Sequence, residues 1–408
     1  MLRFQAIELV NYRCFEHLEL SFEDDTTILF AENAGGKTAL LQALALGLGL
    51  LQRKTPSDLK PSADRDIRRI PTAERSWEPA GSCTLTWKAQ IGDRAEVEWS
   101  STIKTRVGNR LAAAGEAIDR VRRPGQRWPL MGYYGTSRLT AEKKSGRKQR
   151  RSFQDRWDGY DGCLDAGVND GPLYDWLRAE AFGDLARHRR GEEERRFDLG
   201  VLEAMVRATP GVVEAWYDPG TDMPWVRFEN GHQSGWDELS DGYHVFLSLV
   251  GDIARRAVIL NSMDGAAAPM EVEGVVLVDE IDLHLHPRWQ RVVIEGLRKA
   301  FPKLQFVLTT HSPQVLSSVK NRQVRLFEDW ELNKQVYVEG RDSNAILRDH
   351  MDTDERSRDG VRALHNLYRM LDEEDYSRAR ALLDALRVQM GPLDPELDLA
   401  ERILEEEG

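Results

Sequence analysis

Residues 275–280 have the sequence VVLVDE, in which four aliphatic residues are followed at once by Asp279 and Glu280. A short, uninterrupted aliphatic run is typical of a strand buried in a parallel sheet. An acidic pair at the end of such a strand places a magnesium ligand, Asp279, beside a general base, Glu280. Such an acidic pair acts together with a phosphate-binding loop, and an earlier part of the chain has the sequence of such a loop.

Residues 31–38, AENAGGKT, match the pattern GxxxxGK[ST] except that Ala31 occupies the first glycine position. In such a loop, backbone N–H groups surround the β-phosphate and the N-terminus of the following helix adds positive potential. Lys37 is expected to bridge the β- and γ-phosphates, and the Thr38 hydroxyl to ligate Mg²⁺. The residues expected to bind ATP are Asn33, Ala34, Gly35, Gly36, Lys37, Thr38 and Ala39.

The surroundings of this loop favour the phosphate-binding interpretation over a plain glycine-rich turn. Residues 2–10 and 18–30 are predicted to be two strands joined by a turn at residues 11–13, and the second ends just before the loop. Residues 39–51 are strongly apolar, as expected of a helix buried against a sheet. Strand, loop and helix follow one another in the order that a phosphate loop requires.

Two further motifs point to the same chemistry. Residues 239–243, LSDGY, open a helix predicted over residues 239–260, and its N-terminus, with Ser240 and Gly242, suits a phosphate. Ser240 is also a good N-cap, so capping alone is the alternative. His311 ends a buried strand predicted over residues 306–311. Its place after the acidic pair suits a sensor of the γ-phosphate, whereas an isolated histidine would favour a structural role.

The remaining elements complete an α/β organisation. Residues 1–355 are expected to form one head with a helical insertion at about 140–235, and residues 356–408 a helical appendix. The other predicted elements of the head are a hairpin at 82–107 turning at Gly92-Asp93, a strand at 129–134, a polar loop at 141–172, helical sequence at 173–208, a strand pair at 212–230 and a crossover helix at 287–300. The appendix is predicted to hold amphipathic helices at 361–371, 376–390 and 395–407.

The composition is that of a globular protein, with 41% hydrophobic and 30% charged residues in a chain of 408. No apolar run approaches the roughly 18 residues that a membrane-spanning helix needs, and the N-terminus lacks a signal-peptide core. The three cysteines form no CxxC pair, which argues against structural zinc and a disulfide framework. We therefore expect a cytoplasmic protein with no membrane partner.

The formal net charge of −12 hides a local basic run at residues 143–151. A solvated loop is the favoured interpretation of this run, and a nucleic-acid clamp or partner-docking arm is the alternative. Its basic residues are Lys143, Lys144, Arg147, Lys148, Arg150 and Arg151.

Together these motifs resemble the ABC-type ATPase heads of the SMC, RecF and OLD group, over residues 1–320. The resemblance is carried by IELVNYRCF at 7–15, by the acidic pair followed by LHP at 285–287, and by THSP at 310–313. It implies an ABC-type P-loop head with a mixed and antiparallel β-subdomain, a helical insertion and a C-terminal helical appendix. In such heads the signature helix meets the nucleotide of another copy, so the resemblance also implies a homodimer or higher homo-oligomer.

A narrower resemblance is to the PtuA-like ATPases of Septu and retron defence systems. It is carried by YYGTSRL at 133–139, GRDSNAIL at 340–347, and DPEL with the following Ala400-Glu401 in the tail. It implies an ATP-dependent regulatory subunit that controls a PtuB-like HNH nuclease in antiphage defence. Nucleic acid and, in a retron, a reverse transcriptase with its msDNA are further implied partners. Ala31 and Ala34 depart from the usual GxNGxGK, which leaves slow hydrolysis or mainly regulatory ATP binding open.

Other classes of ATPase remain as alternatives. A RecF-like repair ATPase would clamp DNA without a nuclease partner, but the helical tail favours a partner-binding role. An OLD nuclease is disfavoured because fewer than ninety residues follow Val319, and a transporter ATPase because the insertion between Thr38 and Ser240 is too long. His284 and His286 could mimic a metal pair, but their place directly after the acidic pair favours a loop at a dimer interface.

Overall fold

The computed structural model describes the chain except for residues 33, 53–55, 57–58, 72–75, 93–94, 105–109, 112–114, 124, 137–154, 168–169, 193–195, 334–335, 352–357, 392–393 and 408. Asn33 and the basic run at 143–151 therefore lie outside the described residues. The chain divides into two compact units, Met1–Arg341 and Asp342–Gly408. The domain boundary predicted from composition, after residue 355, falls inside the second unit.

The described strands belong to four sheets. In chain order they are β1 (Leu2–Tyr12), β2 (Phe15–Ser21), β3 (Thr26–Ala31), β4 (Arg69–Pro71), β5 (Trp77–Pro79), β6 (Ser82–Ile91), β7 (Ala95–Lys104), β8 (Arg110–Leu111), β9 (Leu130–Tyr134), β10 (Val212–Asp218), β11 (Met223–Phe228), β12 (Gln233–Gly235), β13 (Gly274–Val278), β14 (Leu304–Thr310), β15 (Val324–Glu328) and β16 (Glu331–Asn333).

The described α-helices are α1 (Lys37–Gln52), α2 (Ala63–Asp66), α3 (Gly115–Val121), α4 (Gly171–Arg189), α5 (Phe197–Ala208), α6 (Asp241–Leu260), α7 (Ala268–Glu271), α8 (Pro287–Gln290), α9 (Val293–Ala300), α10 (Pro313–Leu316), α11 (Ser343–Met351), α12 (Arg358–Asp372), α13 (Tyr376–Met390) and α14 (Pro395–Glu407). Short 3₁₀ helices cover Arg156–Tyr160, Trp236–Glu238, Ser262–Ala267 and Asn321–Gln323.

The central sheet of the first unit has the strand order β16-β15-β3-β14-β13-β9. Its strands are parallel apart from β16, which pairs antiparallel with β15 at the edge. Every residue of β3, β9, β13 and β14 is buried, which explains why their sequences are mostly apolar. The carboxyl ends of parallel strands meet at one edge, so the phosphate loop after β3 and the acidic pair after β13 come together there.

A second, antiparallel sheet has the order β2-β1-β6-β7-β8 and packs on α1. The predicted hairpin is confirmed as β6 and β7, and β6 alternates strictly between buried and partly buried residues. Its Trp87 is fully buried and donates its indole N–H to the carbonyl oxygen of Ala43 on α1 at 3.0 Å. A side chain at Gly47 would come within 2.6 Å of that indole, so the glycine permits the close approach of helix and sheet.

The prediction of a single strand over residues 18–30 is wrong. The structure has two strands there, and β2 lies in the antiparallel sheet while β3 lies in the central one. The burial pattern changes where they divide, from alternating in β2 to continuous in β3. Between them, Asp25 Oδ1 accepts the N–H of Thr26 at 2.7 Å, which stabilises the bend that carries the chain from one sheet to the other.

Three other predicted elements differ in detail. The helical sequence at 173–208 forms two helices, α4 and α5, and the crossover at 287–300 forms α8 and α9. The polar loop predicted at 141–172 contains a 3₁₀ helix, whose Tyr160 is buried and stacks on Trp128 with ring centroids 6.2 Å apart. Buried aromatic contact of this kind holds a polar segment in place despite its composition.

Helix α6 is anchored by a buried polar cluster. Asp252 accepts hydrogen bonds from Arg255 at 2.6 Å, from Arg256 at 2.7 Å and from the hydroxyl of Tyr134 at 2.9 Å. Arg256 also donates to the carbonyl oxygens of Gly159 and Asp161. Since Tyr134 ends β9, the cluster fixes α6 against this edge strand of the central sheet.

The second unit contains α11 to α14, and the three amphipathic helices predicted there are confirmed as α12, α13 and α14. Their apolar faces meet in one core that includes Leu367, Leu383 and Leu397. The carboxylate of Asp375 accepts the backbone N–H of Arg378 and so caps α13. Across the described residues of both units, the helices are too short or too polar to cross a membrane.

Candidate nucleotide-binding site

The loop between β3 and α1 has the backbone of a phosphate-binding turn. Ala34 has φ 65° and Gly36 has φ 87°, and both values lie in the left-handed region. A side chain at Gly36 would also come within 2.5 Å of the Phe15 ring, so glycine is required there. Alanine at the other left-handed position is strained by roughly 1–2 kcal/mol.

Lys37 is buried at the first turn of α1 and folds back over the loop. Its Nζ donates to the carbonyl oxygens of Ala31 at 2.6 Å and Glu32 at 2.9 Å. Burial lowers the pKa of Lys37 to about 8, although the nearby carboxylates of Asp279 and Glu280 act in the opposite direction. The ammonium group is thus held at the loop, where it can donate to phosphate oxygens.

Asp279 is 1% exposed and its two carboxylate oxygens have separate partners. Oδ2 accepts the hydroxyl of Thr38 at 2.8 Å, and Oδ1 accepts the hydroxyl of Thr309 at 2.6 Å. A threonine hydroxyl beside a carboxylate is the hard oxygen donor set that Mg²⁺ prefers, so these residues fit that ion.

One cavity of about 310 Å³ brings most of the predicted site residues together. It is lined by Arg13, Cys14, Ala34, Gly35, Gly36, Lys37, Thr38, Ala39, Asp279, Glu280 and His311. Burial and the charge of Lys37 lower the pKa of His311, so its imidazole is neutral at pH 7. The loop, the acidic pair and the histidine come from three different strand ends of the central sheet.

Arg13 and Cys14 line this cavity although they were not among the predicted site residues. Arg13 is held by Asp66, which accepts its Nε at 3.0 Å, and by Gln42, which accepts its Nη1 at 2.7 Å. Both lie in the NYRCF segment that supported the family resemblance, and that segment was the available signal. Their place in the site depends on how β1 and β2 pack beside the phosphate loop.

The loop after the acidic pair is tied to the end of β14. Asp282 accepts the hydroxyl of Thr310 at 2.6 Å and the backbone N–H of His311 at 3.4 Å. Gln290 donates to the carbonyl oxygen of Leu285 at 2.9 Å, and accepts the hydroxyl of Ser312 at 2.6 Å. These hydrogen bonds fix the loop after the acidic pair to the segment that contains His311.

His284 and His286 have separate structural positions in this loop. His286 accepts the backbone N–H of Arg288 through its Nδ1 and so caps α8. His284 has φ 62°, and its carbonyl oxygen would lie 2.6 Å from a side chain placed at Gly242. The histidine loop therefore packs directly on the LSDGY segment.

Ser240 and Gly242 stand apart from the cavity that holds the other predicted residues. Ser240 occupies the N-cap position of α6, but among the described residues its side chain forms no capping hydrogen bond. Tyr243, the next residue in the segment after Gly242, packs edge-on against Trp289 with ring centroids 3.9 Å apart. The segment is thus fixed by packing, and its Ser240 hydroxyl is not used as a helix cap.

Comparison with known sequences places this site in a family. The family described as "AAA domain, putative AbiEii toxin, Type IV TA system" matches residues 85–317, which is more than half of the chain. The chain belongs to this AAA-domain family. A second description, "AAA domain", matches residues 6–156 and so includes the phosphate loop.

Individual relatives are named as retron ATPases and as a Septu protein. The chain is 25% identical to "Retron Vc95 probable ATPase" of Vibrio cholerae serotype O1 biovar El Tor, over 80% of this chain and 74% of that protein. It is 34% identical to "Retron Ec83 probable ATPase" of Escherichia coli, over 42% of this chain and 33% of the relative. It is 37% identical to "Septu protein PtuA" of Bacillus mycoides (strain KBAB4), over 25% of this chain and 13% of that protein.

These matches confirm the predicted resemblance to retron and Septu ATPases, and this AAA-domain protein is an ATPase. For the Ec83 and PtuA proteins the aligned part is a third or less of their length.

Solved structures agree on the fold. The structure described as "Crystal structure of the SmcHead bound to the C-winged helix domain of ScpA" matches with a TM-score of 0.50 and 14% identity, over 81% of this chain and 96% of that one. An Smc head from Pyrococcus furiosus also matches with a TM-score of 0.50 and 14% identity, over 82% of this chain and 96% of that one. The prediction of an SMC-type ATPase head is therefore confirmed for the fold.

Proposed function

We propose that this ATPase is the regulatory subunit of an antiphage defence complex, and that two copies close around ATP to control a partner HNH nuclease. One observation carries the proposal. The phosphate loop, the acidic pair and His311 line a single cavity, whereas Ser240 and Gly242 lie outside it. A second copy would supply these two residues to the nucleotide.

The predicted site residues that line the cavity each have a proposed role toward ATP. Lys37 and the backbone N–H groups from Ala34 to Ala39 bind the phosphates, together with Asn33. Thr38 and Asp279 hold Mg²⁺, which when bound offsets the negative charge on the β- and γ-phosphates. Glu280 accepts a proton from the attacking water, and the neutral imidazole of His311 contacts the γ-phosphate.

The composite site gives a role to the LSDGY segment, which lies outside the cavity of its own chain. The N-terminus of α6 presents free N–H groups and positive potential to an anion. Packing of Gly242 on the histidine loop and of Tyr243 on Trp289 holds that helix end at the surface. In the proposed dimer this end meets the γ-phosphate bound by the other copy, so pairing depends on ATP.

The partner nuclease is proposed from the relatives and the family resemblance. Relatives named for retrons and for Septu support a role in defence. An HNH nuclease encoded beside the ATPase gene is the expected partner, in a cytoplasmic complex. Nucleic acid and, in a retron, a reverse transcriptase with msDNA are further proposed partners.

The experiment is a pull-down of tagged Glu280→Gln protein from its native host, analysed by mass spectrometry. This variant is expected to keep ATP bound and to hold the assembled state. Lys37→Ala protein is the matched control, because it should not bind the nucleotide. An HNH protein recovered in fixed ratio with Glu280→Gln would support the proposal. Recovery of DNA or recombination factors without a nuclease would contradict it and favour a RecF-like repair ATPase.

A further inference from the structure

One buried hydroxyl contacts both members of the acidic pair. Thr309 is completely buried near the end of β14, beside β13. Its Oγ1 donates to Asp279 Oδ1 at 2.6 Å and accepts the backbone N–H of Glu280 at 2.7 Å. A hydroxyl has one proton to donate and two lone pairs to accept, so the two bonds are compatible.

The backbone of Thr309 also contacts Ile281, the residue after the acidic pair. Its carbonyl oxygen accepts the N–H of Ile281 at 3.0 Å. Glu280, between these two bonds, has φ 49°, a left-handed conformation that is unfavourable for a residue with a side chain. The two hydrogen bonds from Thr309 hold the backbone in this turn, and thereby fix where the Glu280 side chain begins.

We infer that Thr309 is a positioning residue of the ATP site, which sets the Asp279 carboxylate toward the cation and the Glu280 side chain toward the water. The inference rests on the proposed roles of these two acids. Asp279 has a second hydroxyl partner, Thr38, but Thr38 is itself a proposed Mg²⁺ ligand. Thr309 does not line the nucleotide cavity, so its effect on chemistry must pass through the acidic pair.

The test compares three variants. Thr309→Val keeps the shape of the side chain and removes its hydrogen bonds, and Thr309→Ser keeps the hydroxyl. The matched control is Thr26→Val on the neighbouring strand β3, because the Thr26 hydroxyl is fully buried without a hydrogen-bond partner in the described structure. Calorimetry gives ATP affinity with and without Mg²⁺, and a phosphate-release assay gives turnover.

Thr309→Val should bind ATP without Mg²⁺ as the parent protein does, because the phosphate loop is intact. It should lose most of the gain in affinity that Mg²⁺ provides, and its kcat should fall about tenfold or more, as expected when a charged group loses a hydrogen bond. Thr309→Ser and Thr26→Val should keep both properties. If Thr309→Val does not fold, Thr309→Ala removes the same hydroxyl.

If folded Thr309→Val protein gains as much ATP affinity from Mg²⁺ as the parent protein and has the same kcat, the inference is overturned. Failure of the proposed function is distinguishable, because it would show in the pull-down as the absence of an HNH protein, whereas the Mg²⁺ comparison between Thr309→Val and the parent protein concerns the ATP site alone. A parent that binds ATP but hydrolyses it too slowly to measure still gives the Mg²⁺ comparison, and a lost Mg²⁺ response in Thr309→Val then supports positioning of Asp279.

Discussion

The indole N–H of Trp330 donates a hydrogen bond to the carbonyl oxygen of Ala34 at 3.2 Å. Trp330 lies in the tight turn between β15 and β16, where both Asp329 and Trp330 have positive φ. Among the described residues of the phosphate loop, Ala34 is the one that has a left-handed backbone without being a glycine. A contact from a distant hairpin thus stabilises the loop at the position where its sequence departs from the usual pattern.

We expect Trp330→Phe to weaken ATP binding roughly fivefold, because one hydrogen bond contributes about 1 kcal/mol. Calorimetry measures the change, and Trp216→Phe on the three-stranded sheet is the control for loss of an indole elsewhere. Adding Ala34→Gly to Trp330→Phe should restore affinity, since glycine adopts positive φ without steric cost. Unchanged affinity in the single variant would show that the contact does not support the loop.

Lys37→Ala should abolish nucleotide binding, because it removes the buried ammonium group that lies over the phosphate loop. Circular dichroism establishes that the variant is folded, and fluorescent nucleotide titration measures binding. Lys299→Ala is the control, since Lys299 is an exposed lysine on α9 paired with Glu295. Retained affinity in Lys37→Ala would count against assigning residues 31–38 to phosphate binding.

Glu280→Gln should bind ATP normally and lose turnover by about 100-fold or more, because an amide cannot accept the proton of the attacking water. Single-turnover measurement separates this chemical step from binding. Glu295→Gln, at an exposed position on α9, should leave both unchanged. A Glu280→Gln protein that hydrolyses ATP at the parental rate would remove Glu280 from the role of general base.

Ser240→Arg should bind ATP but fail to pair, because the long cationic side chain obstructs the surface that meets the second copy. Sedimentation with and without ATP measures pairing. Ser240→Ala tests the alternative of a helix cap, whose loss would cost about 1 kcal/mol of stability. The Ser240 side chain makes no capping bond to the described helix, so Ser240→Ala should unfold at the parental temperature. ATP-dependent pairing by Ser240→Arg would contradict the composite site.

Asp252→Asn should destabilise the first unit in a pH-dependent way. Burial would raise the pKa of Asp252, but the charges of Arg256 and Arg255 outweigh it and hold the pKa well below its usual range. Such a group stabilises the fold above its unfolded pKa and loses that contribution as pH falls. We expect a loss of about 3–5 kcal/mol at pH 7.

This difference in unfolding free energy should shrink by about 1.4 kcal/mol for each pH unit below about 4. Urea unfolding at pH 7 and at pH 3 measures it. Glu203→Gln, which breaks an exposed pair with Arg207, is the control and should change stability by less than about 1 kcal/mol. A pH-independent effect of Asp252→Asn would show that the ion pairs are not the source of the stability.

Helix α11 was not among the predicted elements, but α13 and α14 have the predicted bounds, 376–390 and 395–407. Their apolar residues recur at helical spacing, and Asp375 and Gly391 mark the two ends of α13. Signals of this kind depend only on neighbours in the chain. The strand predicted at 18–30 contains a local signal that the prediction missed, because Glu23, Asp24 and Asp25 interrupt the apolar residues where β2 and β3 divide.

The structure brings the phosphate loop, the acidic pair and the histidine to one cavity. The amino-acid sequence alone predicted these residues, because each lies within a few residues of a strand end and follows from local pattern. It could not assign Thr309 to the acidic pair or Trp330 to the loop. Trp330 and Ala34 are 296 positions apart, and a hydrogen bond forms only when two atoms come within about 3 Å. The order of strands in the central sheet brings those atoms together, and that order is a property of the folded chain.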